Sequence, residues 1–566
     1  MADFEERADQ LTLDAISSSL ADGEIFRKAR RKLLGPGAKL LVGPRGTGKT
    51  HLMRFAYAHA LTTQTEPIAI YANFSRYLHL EPLLKRSPDA LKRFHAWVLA
   101  KILVAVYDSL NDASFSVGTR NEQLPSPVTG IDEDSLRSLV GQLEQGGGDI
   151  LYQELGSKIT VDFVLESVDR LRKSFGRMRA VLLLDDAALT LADQYLIGFF
   201  DVFRLLKTPQ ISPKASVYPG STQYGPTFHV SHETEEVHLW LSVEDAKYSD
   251  IMGSISDLRF DDAELARIDE DALEMLKYMS FGVPRHYLRM LRELLDDNSK
   301  TLQQSINRIV QEQTSLLGKE YDSLGIKLQQ FASLVAVGRE FFDASVKQIS
   351  AAQTEEASNR NIVLGLRQGA ARSPLSDRMV KFLVEVGLLY PLQAVSHGPD
   401  RKYDRFIPHL AFLRQSGAFR AKSRGLSLRE ELAVLGRPAA KHPVRRELTT
   451  LLDRSAIENL RLNLPPCKSC GTARINESQR YCHACGKELV QASLFETCMS
   501  FPLERVPGIS TKIMARLKSG TNFRTIGDVY TSQSASKDLQ TAKFVGPKRA
   551  LTVVDSVENK ISEFLS

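Results

Sequence analysis

Five residues in the run AKLLVGPRGTGKTHLMRFAYAHAL have the types and spacing to hold a polyphosphate. Gly43, Gly46, Gly48, Lys49 and Thr50 satisfy G-x-x-x-x-G-K-[ST]. Glycines in such a turn let successive backbone N–H groups curl around a phosphate at a helix N-terminus. A lysine adds charge to the outer phosphates, and a threonine hydroxyl can ligate Mg²⁺. The whole segment Gly43, Pro44, Arg45, Gly46, Thr47, Gly48, Lys49, Thr50 and His51 is the candidate nucleotide cradle, with ATP and Mg²⁺ as expected ligands. Apolar residues precede it as a strand would, and a helical run follows it.

A phosphate-transfer site of this kind also needs an acid at a strand end. RAVLLLDDAALTLADQ supplies one: Val181 to Leu184 read as the strand, and Asp185 follows as the second Mg²⁺ ligand beside Thr50. Asp186 is the candidate for polarising an attacking water. A further strand, KASVYPGSTQYG, ends in Ser221, Thr222 and Gln223, which could read a γ-phosphate or simply form a turn. In YMSFGVPRHYLRMLREL, Gly282 and Pro284 break the chain before an amphipathic helix. That puts Arg285 at the helix start, able to swing toward a phosphate, with Arg289 one turn along. Lys49, Asp185, Asp186 and Arg285 are thus the candidate catalytic groups.

GPRGTGKT, VLLLDD, GSTQ and FGVPR together make residues 25 to 300 resemble a P-loop ATPase of the AAA+/STAND group, in particular its replication-initiator (origin-recognition) relatives. The resemblance implies a doubly wound, mainly parallel α/β domain over residues 1–240, a helical lid over 241–320, and ATP-dependent switching or assembly into a homo-oligomer. EEVHLWLSVED alternates like another strand of that sheet. ASFSVGTRNEQLPSPVTG and EQGGGD, near 110–150, read as mobile surface insertions. Two features depart from the initiator pattern. Asp186 stands where those relatives usually carry Glu, and Arg204 is the only arginine between Asp186 and Glu235, so an arginine finger is poorly supported. Asp-Asp with Gly-x-Pro looks more like the STAND switches, which signal by conformation.

Residues 321–420 hold a helix with Met379, Phe382, Leu383, Val386 and Leu388 on its apolar side. LLYPLQAV, a turn at SHGPD and YDRFIPHL follow. Helix then hairpin is the winged-helix arrangement, and the same relatives commonly carry one here. Its cations Arg378, Lys381, Arg401 and Lys402 suit either DNA contact or bracing of a closed state. A partly helical connector, 421–464, ends before Pro465 and Pro466.

Cys467, Cys470, Cys482 and Cys485 then form two Cys-x-x-Cys pairs eleven residues apart, the spacing of a tetrahedral Zn²⁺ site, within a zinc ribbon spanning 465–492. Gly471 and Gly486 permit the tight turns, four thiolates leave no open coordination position, and His483 would be a fifth donor. A redox pair would explain one of the two motifs but not both at this distance. Residues 498–566 resemble a tandem helix-hairpin-helix domain on Val506-Pro507-Gly508-Ile509 and Val545-Gly546-Pro547. Physically, the glycine turns at Gly508 and Gly546 offer N–H groups to a phosphate oxygen, and Lys512, Lys548 and Arg549 add cations. The same module can also dock a protein.

Composition frames these sites. A chain of 566 residues, 43% hydrophobic and 25% charged, is expected to hold about three to five globular units. Net charge is +5, but residues 441–500 carry nine Lys/Arg against six Asp/Glu and 501–566 carry ten against six. The excess positive charge therefore lies in the tail, whose partner is expected to be acidic. Five cysteines make no disulfide framework; Cys498 is the spare, expected buried. No run of about 18 apolar residues occurs, so a cytoplasmic protein without a membrane partner is expected. Two functions follow as expectations. One is a DNA-associated ATPase that grips duplex backbone with little sequence preference. The other is a STAND-type signalling switch whose tail docks an effector protein such as a nuclease, in a defence or mobile-element system.

Overall fold

The computed structural model describes residues 8–565, apart from 9–10, 18–20, 22, 76–79, 82–83, 85–86, 118–128, 146–148, 188–192, 298–300, 357, 370–371, 397, 399–400, 420–426, 475–478, 480, 488, 490–497 and 533. Five parallel strands, β1 (Lys39–Val42), β2 (Ile68–Asn73), β3 (Ala180–Asp185), β4 (Ile211–Val217) and β5 (Glu235–His238), form a sheet in the order β2-β3-β4-β1-β5. β1, β3 and β4 are buried along their whole length, as strands covered on both faces must be. Even Lys214 of β4 is buried: its ammonium donates to the Gly35 carbonyl at 2.7 Å and to that of Gly37, and burial pulls it down to about 6. Parallel pairing requires crossovers, and helices such as Lys49–Thr62 and Val161–Ser174 supply them. The result is an open parallel α/β sheet with helices in its crossovers.

Of the insertion expected near 110–150, residues 118–128 and 146–148 lie outside the described residues. Between them Glu133–Glu144 is a helix capped by Asp132, which accepts from the Ser135 N–H at 2.8 Å. Leu136, Leu139 and Leu143 are buried, and the helix packs on Ala90–Val117. Their i, i+3, i+7 spacing gives this segment an apolar face that its polar flanks obscure.

The residues expected as a lid form helices Tyr248–Asp257, Glu270–Met279 and Pro284–Leu295. The turn before the last of these is pressed onto the strand-end segment after β5. Gly282 has φ +75, and a Cβ there would stand 2.0 Å from the Leu241 carbonyl oxygen. The Gly282 N–H donates to the Tyr248 hydroxyl at 2.9 Å, and the Trp240 indole N–H donates to the Phe281 carbonyl at 2.8 Å.

A second sheet lies further along the chain: β6 (Leu364–Arg367), β7 (Leu389–Ser396), β8 (Lys402–Pro408) and β9 (Val444–Arg446), ordered β7-β8-β6-β9. β7 and β8 are the expected antiparallel hairpin, preceded by helix Pro374–Glu385, which Ser373 and Ser376 cap reciprocally. β9 comes from the segment expected to be a helical connector. It pairs parallel with β6, and Leu435, Leu448 and Leu451 are buried in the main core. Three residues, VRR, carry no alternation that sequence could register. Buried apolar residues run through one core from Ala21 to Ala456, whereas Cys498–Ile561 make a separate small core around Leu517, Ile526, Leu539 and Val553. Among the described residues no helix is long and apolar enough to cross a membrane.

The Gly282 contact predicts a graded result. Gly282→Ala should cost about 2–5 kcal/mol in denaturant titration, combining a left-handed alanine with an overpacked backbone contact. Gly37→Ala, at φ +79 but with nothing within 4 Å of its Cβ, should cost only about 1–2 kcal/mol. Equal losses would mean that the Leu241 contact is not what constrains Gly282.

Candidate functional site

The glycine-rich loop leaves the carboxyl end of β1 and turns into helix Lys49–Thr62. Gly46 and Gly48 hold φ +83 and +89, conformations that L side chains resist. A Cβ on Gly43 would stand 2.5 Å from the Leu239 carbonyl oxygen, so the loop is seated against the end of β5. The Thr47 hydroxyl donates to the Pro44 carbonyl at 3.0 Å. Lys49 is buried: its ammonium donates to the carbonyls of Gly43 at 2.6 Å and Pro44 at 2.9 Å and lies 4.3 Å from the centre of the Tyr218 ring. The Arg45 guanidinium meets the same ring at 5.3 Å. Burial pulls Lys49 down to about 7, against the opposing pull of the Asp186 charge. Thr50 and His51 are half-buried on the first helical turn.

Asp185 ends β3 and is fully buried, with both oxygens held. Ser216 of β4 donates to Oδ1 at 2.9 Å, and the Tyr71 hydroxyl of β2 donates to Oδ2 at 2.9 Å. Both partners are neutral hydroxyls, which orient the carboxylate without opposing charge. Asp186 has φ +53, uncommon for a residue with a side chain. Its N–H donates to Ser216 at 2.8 Å, and its Oδ2 accepts from Asn73 at 3.5 Å. Tyr71, Asn73 and Ser216 were not singled out from sequence. The available signal was polar residues near the carboxyl ends of IAIYAN and KASV, but only the pairings Asn73↔Asp185 and Leu184↔Ala215 show that these strands flank β3.

Arg285 stands against the loop. Its N–H donates to the Gly46 carbonyl at 3.4 Å, and a Cβ on Gly46 would meet Val283 at 3.0 Å and the Arg285 Cβ at 3.1 Å. Its side chain is exposed there, and among the described residues its guanidinium makes no ion pair. Arg289 instead points into the lid, to Gln313 and to Glu293 at 3.7 Å. Arg204 lies on the surface near Thr227 and Glu233.

The polar tip after β4 is engaged by protein groups. Thr222 accepts from the Tyr218 N–H at 3.0 Å. Ser221 belongs to a contact that sequence reasoning missed: Glu385, 1% exposed at the end of helix Pro374–Glu385, accepts from the N–H groups of Gly220 at 2.9 Å and Ser221 at 2.7 Å. It also accepts from the Ser221 hydroxyl at 2.8 Å. Beside it, Gln223 takes the Arg378 guanidinium, which lies 4.0 Å over the Phe331 ring. Arg378 is therefore turned inward, while Lys381, Arg401 and Lys402 are exposed.

The sulfurs of Cys467, Cys470, Cys482 and Cys485 lie within 4.8 Å of one another, with Cys467–Cys485 at 3.6 Å and Cys470–Cys482 at 3.5 Å. Four sulfurs at about 2.3 Å from one tetrahedral ion stand about 3.8 Å apart, so the donor set fits Zn²⁺. The two pairs build the same turn twice: Gly471 and Gly486 hold φ +71 and +69, and their N–H groups donate at 2.8 Å to the carbonyls of Cys467 and Cys482. His483 is exposed beside Gln479 and outside the cluster. Cys498 is buried in the tail core, and burial pushes its thiol up to about 12.

In the tail, Gly508 holds φ +89, and a Cβ on it would stand 2.6 Å from the Ser556 hydroxyl oxygen. Ser510 caps the helix Thr511–Gly520 that follows. Gly546 has nothing within 4 Å of its Cβ position and precedes helix Pro547–Leu565. Lys512, Gly546, Lys548 and Arg549 are all exposed.

No family model matches this chain, and no curated protein matches it significantly. Among solved structures, the ORC2 protein of Aeropyrum pernix (ADPNP-ADP complexes) is similar at 14% identity over 73% of this chain and 94% of that one, with a TM-score of 0.28. A likeness that loose carries no argument, so function rests on the geometry above.

Two measurements check this geometry. A polyphosphate beside Lys49 restores its charge toward the ordinary 10.5, so between about pH 7 and 10.5 binding of pyrophosphate or a nucleotide should take up a proton and weaken as pH rises. Calorimetry at pH 8 in buffers of different ionisation enthalpy reads the uptake, and identical heats would contradict it. The purified chain should also contain one zinc per molecule. Chelation should open residues 467–487 to protease, because Cys467, Cys482 and Leu489 are the whole buried set of that unit among the described residues.

Proposed function

We propose that this chain is an ATP-binding and ATP-hydrolysing switch that associates with duplex DNA through the sugar-phosphate backbone. The observation that carries the nucleotide half is convergence: the glycine-rich loop, Asp185 with Asp186, and the Arg285 turn all meet at the carboxyl ends of β1, β3 and β4. In open α/β sheets ligands bind at that edge. Loop N–H groups and Lys49 would hold the phosphates, and Lys49 must then exchange the carbonyls of Gly43 and Pro44 for phosphate oxygens. Thr50 and Asp185 would ligate Mg²⁺, which neutralises charge on the transferring phosphoryl group. Asp186 would orient the attacking water, and Arg285 would meet the outer phosphate. Thr222, whose hydroxyl is turned to Tyr218, would read nucleotide only after local rearrangement.

The DNA half is supported by the exposed Gly546–Arg549 turn, the exposed Lys512, and the positive charge of the tail. Phosphate-only contacts of this kind give Kd values of about 10⁻⁴ to 10⁻⁶ M and weaken with salt. The zinc-bearing unit would present this grip to the ATPase, and nucleotide-dependent assembly into a homo-oligomer fits the same reading.

A second reading is a signalling switch whose tail docks an effector protein. Glu385 favours it, because that contact links the strand tip nearest the nucleotide edge to the helix-hairpin unit, as a conformational relay would.

ATP turnover of the wild type and of Lys49→Ala and Asp186→Asn, each with and without duplex DNA, separates the two. The first reading expects turnover that DNA stimulates and that each substitution lowers on the order of 10²-fold. A chain ending at residue 465 should lose DNA binding at matched salt. Nucleotide retained through purification, with turnover indifferent to DNA, would favour the signalling reading.

A further inference from the structure

Among the described residues of the tail, the most exposed large hydrophobic is Phe544, at 76%. It sits in the turn before Val545-Gly546-Pro547 with φ +66, a conformation uncommon for a bulky side chain. The turn is braced from two sides. The Phe544 carbonyl accepts from Arg549 at 2.6 Å and from Arg516 at 3.3 Å, and the Arg516 guanidinium lies 5.4 Å from the ring centre. Helix Thr511–Gly520 backs it closely, since a Cβ on Gly520 would stand 2.8 Å from the Cα of Ala542. Lys543, Lys548 and Arg549, close to Phe544 in sequence, are exposed. A groove for an apolar protein segment would have apolar walls, whereas this ring has the Arg516 guanidinium beside it and exposed cations on the same turn. An aromatic face among cations suits a nucleobase, because every base has a π-face while the adjoining phosphates are anionic. Uniform duplex hides its base faces in the stack, and unpaired bases present them.

We propose that Phe544 is a base-stacking residue that makes the tail prefer DNA containing unpaired bases over uniform duplex. This rests on the DNA-binding reading above and specifies the DNA form it left open. The backbone cations supply sequence-independent attachment, and the ring adds affinity only where a base is free to stack.

The test uses the full-length protein and fluorescence anisotropy with three labelled 30-mers: uniform duplex, duplex with a four-nucleotide bubble, and single strand. The wild type should bind the bubble and the single strand about tenfold more tightly than the duplex. Phe544→Ala should remove that preference and leave duplex affinity within about twofold, while Phe544→Trp should keep it. Lys512→Ala with Lys548→Ala, which leaves the Arg549 brace in place, should weaken all three DNAs alike. Equal wild-type affinity for all three would overturn the inference and leave the DNA-binding reading standing. A Phe544→Ala chain that binds every DNA as the wild type does would also overturn it, and would assign the exposed ring to a protein partner. Absence of binding to any DNA at low salt would remove both. Unchanged zinc content and thermal midpoint of the variants exclude misfolding as the cause.

Discussion

A buried carboxylate joins the two sheets of the main body. Glu385, on the helix before β7, has no solvent to balance its charge; the N–H groups of Gly220 and Ser221 and the Ser221 hydroxyl do so instead. Charge-assisted bonds of this kind are stronger than neutral ones, and breaking one side leaves a buried charge without partners. The helix-hairpin unit is thereby locked to the tip of β4, with Phe382 against Gly220 and Tyr390 against Trp240 at 4.6 Å. Trp240 in turn holds the Phe281 carbonyl, and the Phe281–Arg285 turn lies on Gly46. A shift at the loop therefore has a continuous packed route to the second sheet.

The electrostatics of the loop fit such a route. Lys49 and Arg45 both face the Tyr218 ring, and Tyr218 begins the turn whose other end, Gly220 and Ser221, binds Glu385. A polyphosphate that draws Lys49 away from the Gly43 and Pro44 carbonyls would disturb one end of a turn whose other end holds Glu385. The tail is built differently. Its core of Leu517, Ile526, Leu539 and Val553 is small, and among the described residues the preceding four-sulfur cluster buries little besides two cysteines and Leu489. Units of this size need a metal or cross-link in place of a large apolar core.

Much of the local chemistry was legible because it is written in short spacings. The loop at Gly43–Thr50, the acid after VLLL and the paired Cys-x-x-Cys turns each need only a few consecutive residues: Gly46 and Gly48 take left-handed φ, Asp185 ends its strand, and the four sulfurs cluster. What stayed illegible involves partners far apart in the chain. Glu385 lies 164 positions from Ser221, and Tyr71 lies 114 from Asp185. β9 pairs with β6 although VRR has no pattern to announce a strand.

Sequence alone thus picked out the glycine-rich loop, the acid pair, the four clustered cysteines and the basic tail, because backbone curvature, ligand softness and net charge are local properties. Only the tertiary structure decided which hydroxyls orient Asp185, which carboxylate closes the strand tip, that Arg285 rather than Arg289 faces the loop, and that Phe544 stands in water. Those outcomes depend on sheet order and on which surfaces meet, which arise from burying apolar area across the whole chain rather than from any one segment.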